Sequence, residues 1–515
     1  MHEIKNPITS KGTSRRIDPE LKHRLFAMHG GETLKGCYQC GLCTSTCPLA
    51  QMMDVYRPNK ILELAKHGIR DIPFTNAVLF CSACTLCTKN CPQGVRVHEI
   101  LDDLKTLSVE DGSAQVYLEN GFEETLAALG EKIPFPVSFS CICLRPSGEK
   151  AGGNSYDALV HDVLRRFLSR KAKVSAPSPV IGEYEIAVIG SGPAGLTAAW
   201  VLRRMGWRVT VFESQPEPGG MLRVGIPEYR LPKEIVDAEI EQIKDLGVEI
   251  RTNTLVDRDF FDNLVNSKQY SAVFIASGAS TNRKLRMEGE SLQGVVPVLD
   301  LLRQYNLSGH AEVGKKVIVI GGGNVAIDAA RTALHCGAES VQLFCLESRK
   351  EMPAHEWEIL EASAEGVILN PSWGPGKLLG DGQKVTGVEF VRCSSVFDDH
   401  HKFNPIFDKT KTQVIEADTV ISAIGQAPDI IFLGKRVETF RGAVSADPLT
   451  TETSLSGVFA GGDAVQGTAS LLEAIVAGRT AALAISNYLE ETKESETTPL
   501  YDSATALERV EENKP

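Results

Sequence analysis

No stretch of this 515-residue chain approaches the roughly 20 consecutive apolar residues that a membrane-spanning helix needs. The first twenty residues, MHEIKNPITSKGTSRRIDPE, lack the apolar centre of a secretory signal. The pair Arg15-Arg16 runs into Ile17-Asp18-Pro19-Glu20, which does not suit twin-arginine export. A basic excess is also missing. Against 54 Lys and Arg stand 66 Asp and Glu, a net charge of -12, which argues against a general nucleic-acid binder. There is no low-complexity tract. The eleven histidines and the carboxylates form no constellation, and His98, His335 and His355 read as structural or surface residues. A cytoplasmic, reducing setting fits these absences, and there thirteen cysteines would not build a disulfide framework.

Eight of those cysteines repeat one pattern, C-x2-C-x2-C-x3-C-P. The first copy is Cys37, Cys40, Cys43 and Cys47 with Pro48; the second is Cys81, Cys84, Cys87 and Cys91 with Pro92. Thiolates this dense are what iron–sulfur clusters need. Zinc sites draw two Cys pairs from separate turns, so the spacing favours two 4Fe–4S clusters over zinc. Two arrangements stay open: each motif holds its own cluster, or the fourth cysteines are exchanged, as in two-cluster ferredoxins. The exchange would group Cys37, Cys40, Cys43 and Cys91 against Cys81, Cys84, Cys87 and Cys47. Cys81 and Cys84 also resemble a redox dithiol, but Cys87 and Cys91 absorb them into the cluster motif. Cys141, Cys143, Cys336, Cys345 and Cys393 read as structural or incidental thiols.

Around the motifs the apolar spacing is helical: Ile61, Leu62, Leu64 and Ala65 predict a short helix, and Val97, Ile100, Leu101, Leu104 and Leu107 an amphipathic one. Residues 134–180, with Pro134, Pro136, Pro146, Gly152-Gly153, Pro177 and Pro179, read as a linker interrupted by a helix near 155–170. From 184 onward short β-rich runs alternate with helices, the texture of a doubly wound α/β fold.

Two dinucleotide fingerprints lie in that region. The first is strand EIAVIG, a turn through Gly190, Gly192, Pro193, Ala194 and Gly195, a helix, and a second strand ending at Glu213. Glycines permit a tight turn and close approach to a pyrophosphate, the helix N-terminus supplies amide donors, and the acid can accept from ribose hydroxyls. The second is strand KKVIVI, then Gly321, Gly323, Asn324, Val325 and Ala326, a helix, and a strand ending at Glu347. Two such units imply two nucleotides, a flavin and a nicotinamide. A flavin takes a hydride and releases electrons singly, which suits a chain that also carries clusters.

Residues 180–490 resemble the small subunit of glutamate synthase and its relatives, among them the flavoprotein half of dihydropyrimidine dehydrogenase and the large subunit of the bifurcating NADH-dependent ferredoxin:NADP oxidoreductase. The stretches that carry this are 218–240, 317–333, EMPAHE (351–356), ADTVISAIGQAPD (417–429) and GVFAGGDAVQGTASLLEAIVAGRTAA (457–482). The resemblance implies that the first fingerprint binds FAD and the second NAD(P)H, with the NAD(P) domain inserted in the FAD domain. It implies further cofactor contacts at Gly220, Met221, Gly278, Gly425, Gly462 and Asp463, the last on the flavin ribityl chain. Residues 30–105 are similar instead to the iron–sulfur dicluster subunit of heterodisulfide reductases. Relatives that use NADPH carry paired arginines where this chain has Leu346 and Glu347. A carboxylate repels a 2′-phosphate, so NADH is favoured over NADPH, although Arg349 and Lys350 stand nearby.

The expected fold is α/β: two Rossmann-like dinucleotide domains behind a mostly helical dicluster domain. The expected segments are a dicluster domain (1–140), a linker (141–183), the FAD domain in two parts (184–295 and 417–490), the NAD(P)H domain (296–416) and a polar tail (491–515). The expected activity is an NAD(P)H:acceptor oxidoreductase centred on the flavin, with no side-chain acid or base required. Its partner would be a ferredoxin, a 2-oxoacid or acyl-CoA reductase, or a heterodisulfide-reductase-like protein. Electron bifurcation rests on the resemblance alone. The alternatives are a glutamate synthase small subunit and a non-catalytic redox sensor or scaffold.

Overall fold

The computed structural model describes residues 16–497 except 29, 54–55, 71–77, 145–158, 161, 165, 168–178, 181–183, 268 and 399–401. Arg15, Pro146, Gly152-Gly153, Pro177, parts of the 155–170 helix and the tail beyond 497 lie outside the described residues. No helix among the described residues is long and apolar enough to cross a membrane.

The N-terminal part is built of short helices. Asp18 caps helix Pro19–Ala27 by accepting from the Glu20 and Leu21 amides at 3.0 and 3.1 Å. Helix Pro58–Lys66 buries Ile61, Leu62 and Ala65, and helix Val97–Glu110 buries Val97, Ile100, Leu101, Leu104 and Leu107, as the spacing predicts. The two cysteine motifs fold alike. Each has a four-residue helix, Leu42–Ser45 or Leu86–Lys89, entered through a left-handed residue, Gly41 (φ 82°) or Thr85 (φ 64°).

The expected linker begins later than its prolines suggest. Pro136 opens helix Pro136–Cys143, where a missing amide costs nothing. Phe135, Val137, Phe139, Cys141 and Leu144 are buried, so 134–144 belongs to the core. One continuous apolar core runs from Leu21 and Leu101 through Phe139 to Ile186, Trp200 and Ile485. The helical domain is thus packed onto the first nucleotide domain rather than tethered to it.

Beyond 184 lie two five-stranded parallel sheets. The first has the order Val458–Ala460, Tyr270–Ile275, Glu185–Ile189, Arg208–Phe212, Glu249–Arg251. The second has the order Ile368–Pro371, Ser340–Cys345, Lys316–Ile320, Thr419–Ser422, Val295–Pro297. Strand Thr419–Ser422 therefore sits in the second sheet, although 417–490 was expected in the FAD domain. Its residues are buried on both faces between Val317–Ile320 and Val295–Pro297, and an apolar run of this kind reads alike for either sheet. The chain crosses between the domains at Thr281–Asn282 and Gln426–Ala427, which pair antiparallel. A three-stranded antiparallel sheet, Trp373–Gly380, Val385–Phe397 and Phe403–Glu416, flanks the second domain. Helix Leu471–Thr497 crosses helix Pro193–Arg204 so closely that a Cβ on Gly478 would lie 2.1 Å from the Ala194 carbonyl oxygen. That helix extends past 490, where a polar, frayed tail was expected.

Candidate redox centres and nucleotide sites

Two of the cavities in the helical domain are each walled by four of the eight cysteines. Cys37, Cys40, Cys43 and Cys91 line one, with Tyr38, Asn59 and Gln93. Cys47, Cys81, Cys84 and Cys87 line the other, with Tyr56 and His98. Of the two arrangements left open by the spacing, the structure shows the exchanged grouping. The packed pair of short helices, Leu42–Ser45 against Leu86–Lys89, brings the motifs face to face so that each fourth cysteine reaches across.

Four soft sulfur donors around one small cavity are the donor set of a 4Fe–4S cluster. Among the described residues no three Cys, His, Asp or Glu side chains close on one point as a single zinc ion requires. Burial, reinforced by neighbouring cysteines, pushes the Cys43 thiol up to about 11 and Cys47 to about 12, and raises Cys87 further. The positive charge of a bound metal centre would hold these groups as thiolates. Sulfur also receives hydrogen bonds: the Gln39 amide donates to Cys37 Sγ and the Val95 N–H to Cys91 Sγ, both at 3.4 Å.

The cavities differ in depth. The first, outer one reaches the surface at exposed Cys40, flanked by Tyr38 and Leu42, which are 58% and 43% exposed. The second, inner one faces the flavoprotein half. Helix Pro48–Met52, just after Cys47, packs on helix Leu471–Thr497, and Cys84 feels the charge of Glu473 on that helix. His98, expected to be structural or surface, lines the inner cavity and pairs with the Thr88 hydroxyl at 2.8 Å.

In the first nucleotide unit the glycine turn fits tightly. A Cβ on Gly195 would lie 2.0 Å from the Gly190 carbonyl oxygen, so helix and strand meet only because Gly195 has no side chain. Gly192 leads into helix Pro193–Arg204, with open space beyond it. Gly220 packs on Gly192, and Gly462 on Ala194, which brings the 219–221 and 461–463 segments to the same helix N-terminus. Burial raises Asp463 to about 6. Glu213 is buried and already holds the turn: it accepts from the Ser191 N–H at 3.0 Å and the Ser191 hydroxyl at 2.5 Å, and from the Gln215 N–H at 2.8 Å. Ser191 carries no sequence signal of this role, because the fingerprint leaves that position free.

In the second unit a Cβ on Gly321 would lie 2.3 Å from the Ala423 carbonyl oxygen, and Gly323 starts helix Asn324–His335. Glu347 turns toward the glycine turn, its Oε2 3.0 Å from where a Gly322 Cβ would stand. Burial raises its pKa, with Glu351 adding to the shift. The 352–354 segment folds over the turn: Ala354 N–H donates to the Gly322 carbonyl at 3.1 Å, and His355 N–H to Asn324 Oδ1 at 2.9 Å. Ala326 is buried, and Val325 packs against the domain core. Arg349 is engaged by both oxygens of Glu356 at 2.9 and 2.7 Å.

The two units are locked across their boundary. Arg230, in the first domain, donates to both Asp328 oxygens at 2.8 and 2.6 Å and pairs with Glu358 at 2.7 Å, all three buried. Met221 packs against the core of the second domain, and Gly278 and Gly425 flank the paired crossing strands; Arg283 N–H donates to the Gly425 carbonyl at 3.0 Å.

Residues 184–481 match the pyridine nucleotide-disulphide oxidoreductase family, and residues 33–95 match the 4Fe-4S dicluster domain. The chain is 37% identical over 438 residues to the NADP(+)-dependent formate dehydrogenase subunit beta of Moorella thermoacetica, which covers 79% of this chain and 60% of that relative. It is 32% identical over 507 residues to the NADPH-Fe(3+) oxidoreductase subunit beta of Geobacter sulfurreducens, covering 90% of this chain and 72% of the relative. It is 32% identical over 446 residues to the glutamate synthase [NADPH] small chain of Azospirillum brasilense, covering 81% and 89%. With the cysteine cavities and the first nucleotide fold sharing one core and a second nucleotide fold joined to it, the chain belongs to the pyridine nucleotide-disulphide oxidoreductase family, as an iron–sulfur oxidoreductase that works with FAD and a nicotinamide nucleotide.

Proposed function

We propose that this chain is an electron-transfer subunit that uses NADH and exchanges electrons with a partner protein through FAD and two 4Fe–4S clusters. The observation that carries the reading is the depth order of the cysteine cavities: the inner one lies against the flavoprotein helix that bears Glu473, and the outer one ends at exposed Cys40. When bound, FAD converts a two-electron hydride into single electrons. Gly190, Gly192, Pro193, Ala194 and Gly195 would cradle its pyrophosphate, Glu213 its ribose, and Gly220, Gly462 and Asp463 the flavin side. Gly321, Gly323, Asn324, Val325 and Ala326 would hold the nicotinamide nucleotide. The surface around Cys40, Tyr38 and Leu42 would receive the partner, a ferredoxin or a reductase.

NADH is favoured because Glu347 lies against the second glycine turn, where it would meet a ribose, and Glu356 engages Arg349. The three relatives above carry NADP(+) or NADPH in their names, and this chain departs from the paired-arginine pattern at Leu346 and Glu347. The purified, flavin-loaded protein should reduce an artificial dye with NADH. No dye reduction would leave only a scaffold or sensor. A pull-down from native extract should bring a redox partner; a glutamate synthase large subunit in the eluate would overturn the reading.

A further inference from the structure

The two cysteine cavities carry the same cation in the same place. Lys66, at the end of helix Pro58–Lys66, donates its ammonium to the Cys37 carbonyl at 3.1 Å. Lys105, on helix Val97–Glu110, donates to the Cys81 carbonyl at 3.0 Å. Cys37 and Cys81 are the first cysteines of the two motifs. The two lysines differ in solvent. Lys105 is 3% exposed, whereas Lys66 is half-buried. Among the acids near the inner cavity, Glu473 acts on Cys84. The charge of Lys105 also reaches His355 of the second nucleotide domain.

A reduced cluster carries one more negative charge than an oxidised one. A fixed cation nearby therefore favours reduction, and favours it more where water does not screen the pair. We propose that the buried ammonium of Lys105 raises the reduction potential of the cluster held by Cys47, Cys81, Cys84 and Cys87, and does so more than the screened Lys66 does for the outer cluster. The step is a one-electron reduction: one electron, from the nicotinamide by way of the flavin, enters the cluster. No bond forms or breaks and no proton is taken up. Tyr56, 1% exposed on the wall of the same cavity, has its hydroxyl within reach of the Cys81 thiol and acts in the same direction.

The inference rests on the reading that each cavity holds a 4Fe–4S cluster, and iron content tests that reading separately. A wild-type protein with far fewer than about eight iron atoms per chain contradicts the reading, not the role of Lys105. The test of the role is a mediated redox titration of the loaded protein followed by electron paramagnetic resonance. Lys105→Gln keeps a hydrogen-bond donor but removes the charge. It should lower one of the two one-electron steps about tenfold in equilibrium, about 59 mV, and leave the other in place. Lys105→Arg should stay within about twofold of wild type, and Lys66→Gln should move the other step by less than about threefold. Loaded Lys105→Gln with both steps unchanged would overturn the proposal. A second measurement does not depend on that variant loading iron. In the Cys40→Ser background, which disables the outer site and so identifies the inner step, Lys105→Met should lower that step by about tenfold in equilibrium; an inner step left unmoved there would overturn the proposal.

Discussion

Cys91 shares its cavity with Cys37 and not with Cys87, its neighbour in the motif. The first cysteine of one repeat and the last of the other thus belong to one site, and the two sites are interlocked through the packed pair of short helices. Losing one cysteine should therefore injure the site of the other motif. Cys91→Ser should give the same altered outer-cluster signal as Cys37→Ser, and Cys47→Ser the same altered inner-cluster signal as Cys81→Ser. Iron analysis and electron paramagnetic resonance of the four variants check the grouping. Matching of Cys91→Ser with Cys87→Ser would contradict it.

The nucleotide choice should turn on Glu347. Glu347→Arg should shift the ratio of kcat/KM for NADH over NADPH toward NADPH by about tenfold or more, near 1.4 kcal/mol in transition-state terms. Glu356→Ala, which frees Arg349, should improve NADPH use severalfold with little change for NADH. Steady-state dye reduction with both nucleotides measures this. A wild type that prefers NADPH would reverse the assignment.

Arg230 reaches across a domain boundary to two buried carboxylates, Asp328 and Glu358. Arg230→Ala removes the guanidinium and leaves both carboxylates buried. It should cost about 3–5 kcal/mol, seen as a clear fall in the unfolding midpoint. Breaking a surface pair such as Lys315 with Glu339 should leave the unfolding midpoint nearly unchanged.

Glu239 ties the helical domain to the flavoprotein. It accepts from the Val137 N–H at 2.7 Å and from the Ser138 amide and hydroxyl, at the start of helix Pro136–Cys143. Burial raises its pKa to about 8, while these hydrogen bonds pull the other way. Between the ordinary carboxylate value and about 8 the folded chain holds a proton that the unfolded chain has released. Stability from this group therefore falls as pH rises through that window. The stability of wild type relative to Glu239→Gln should decline from pH 5 to pH 8, as read by denaturant titration, and a flat difference would count against the buried proton.

Much of this was legible in the sequence because the chemistry leaves little freedom. Cysteine spacing, the turns at Gly190 and Gly321 and the acids at Glu213 and Glu347 sit where the folds require them. What escaped depends on contacts between distant residues. Pro134 and Pro136 read as linker, yet Pro136 opens a helix because Glu239, far along the chain, caps it. Thr419–Ser422 reads as strand but not as a strand of the second sheet, since only its neighbours decide. His98 and Lys105 look like ordinary polar positions of an amphipathic helix, and their place at the inner cavity appears only once Cys81 folds beside them.

The central claim is that nicotinamide, flavin and both clusters form one electron path within this chain. It is tested most directly by counting electrons exchanged with the NADH/NAD+ couple. Anaerobic protein is titrated with NADH in one direction and, after chemical reduction, with NAD+ in the other, while flavin and iron–sulfur absorbance are followed. FAD holds two electrons and each cluster one, so exchange in one of the two directions should reach about four electrons per chain. Exchange that stops at about two in both directions, with the cluster signals unmoved, would contradict the account.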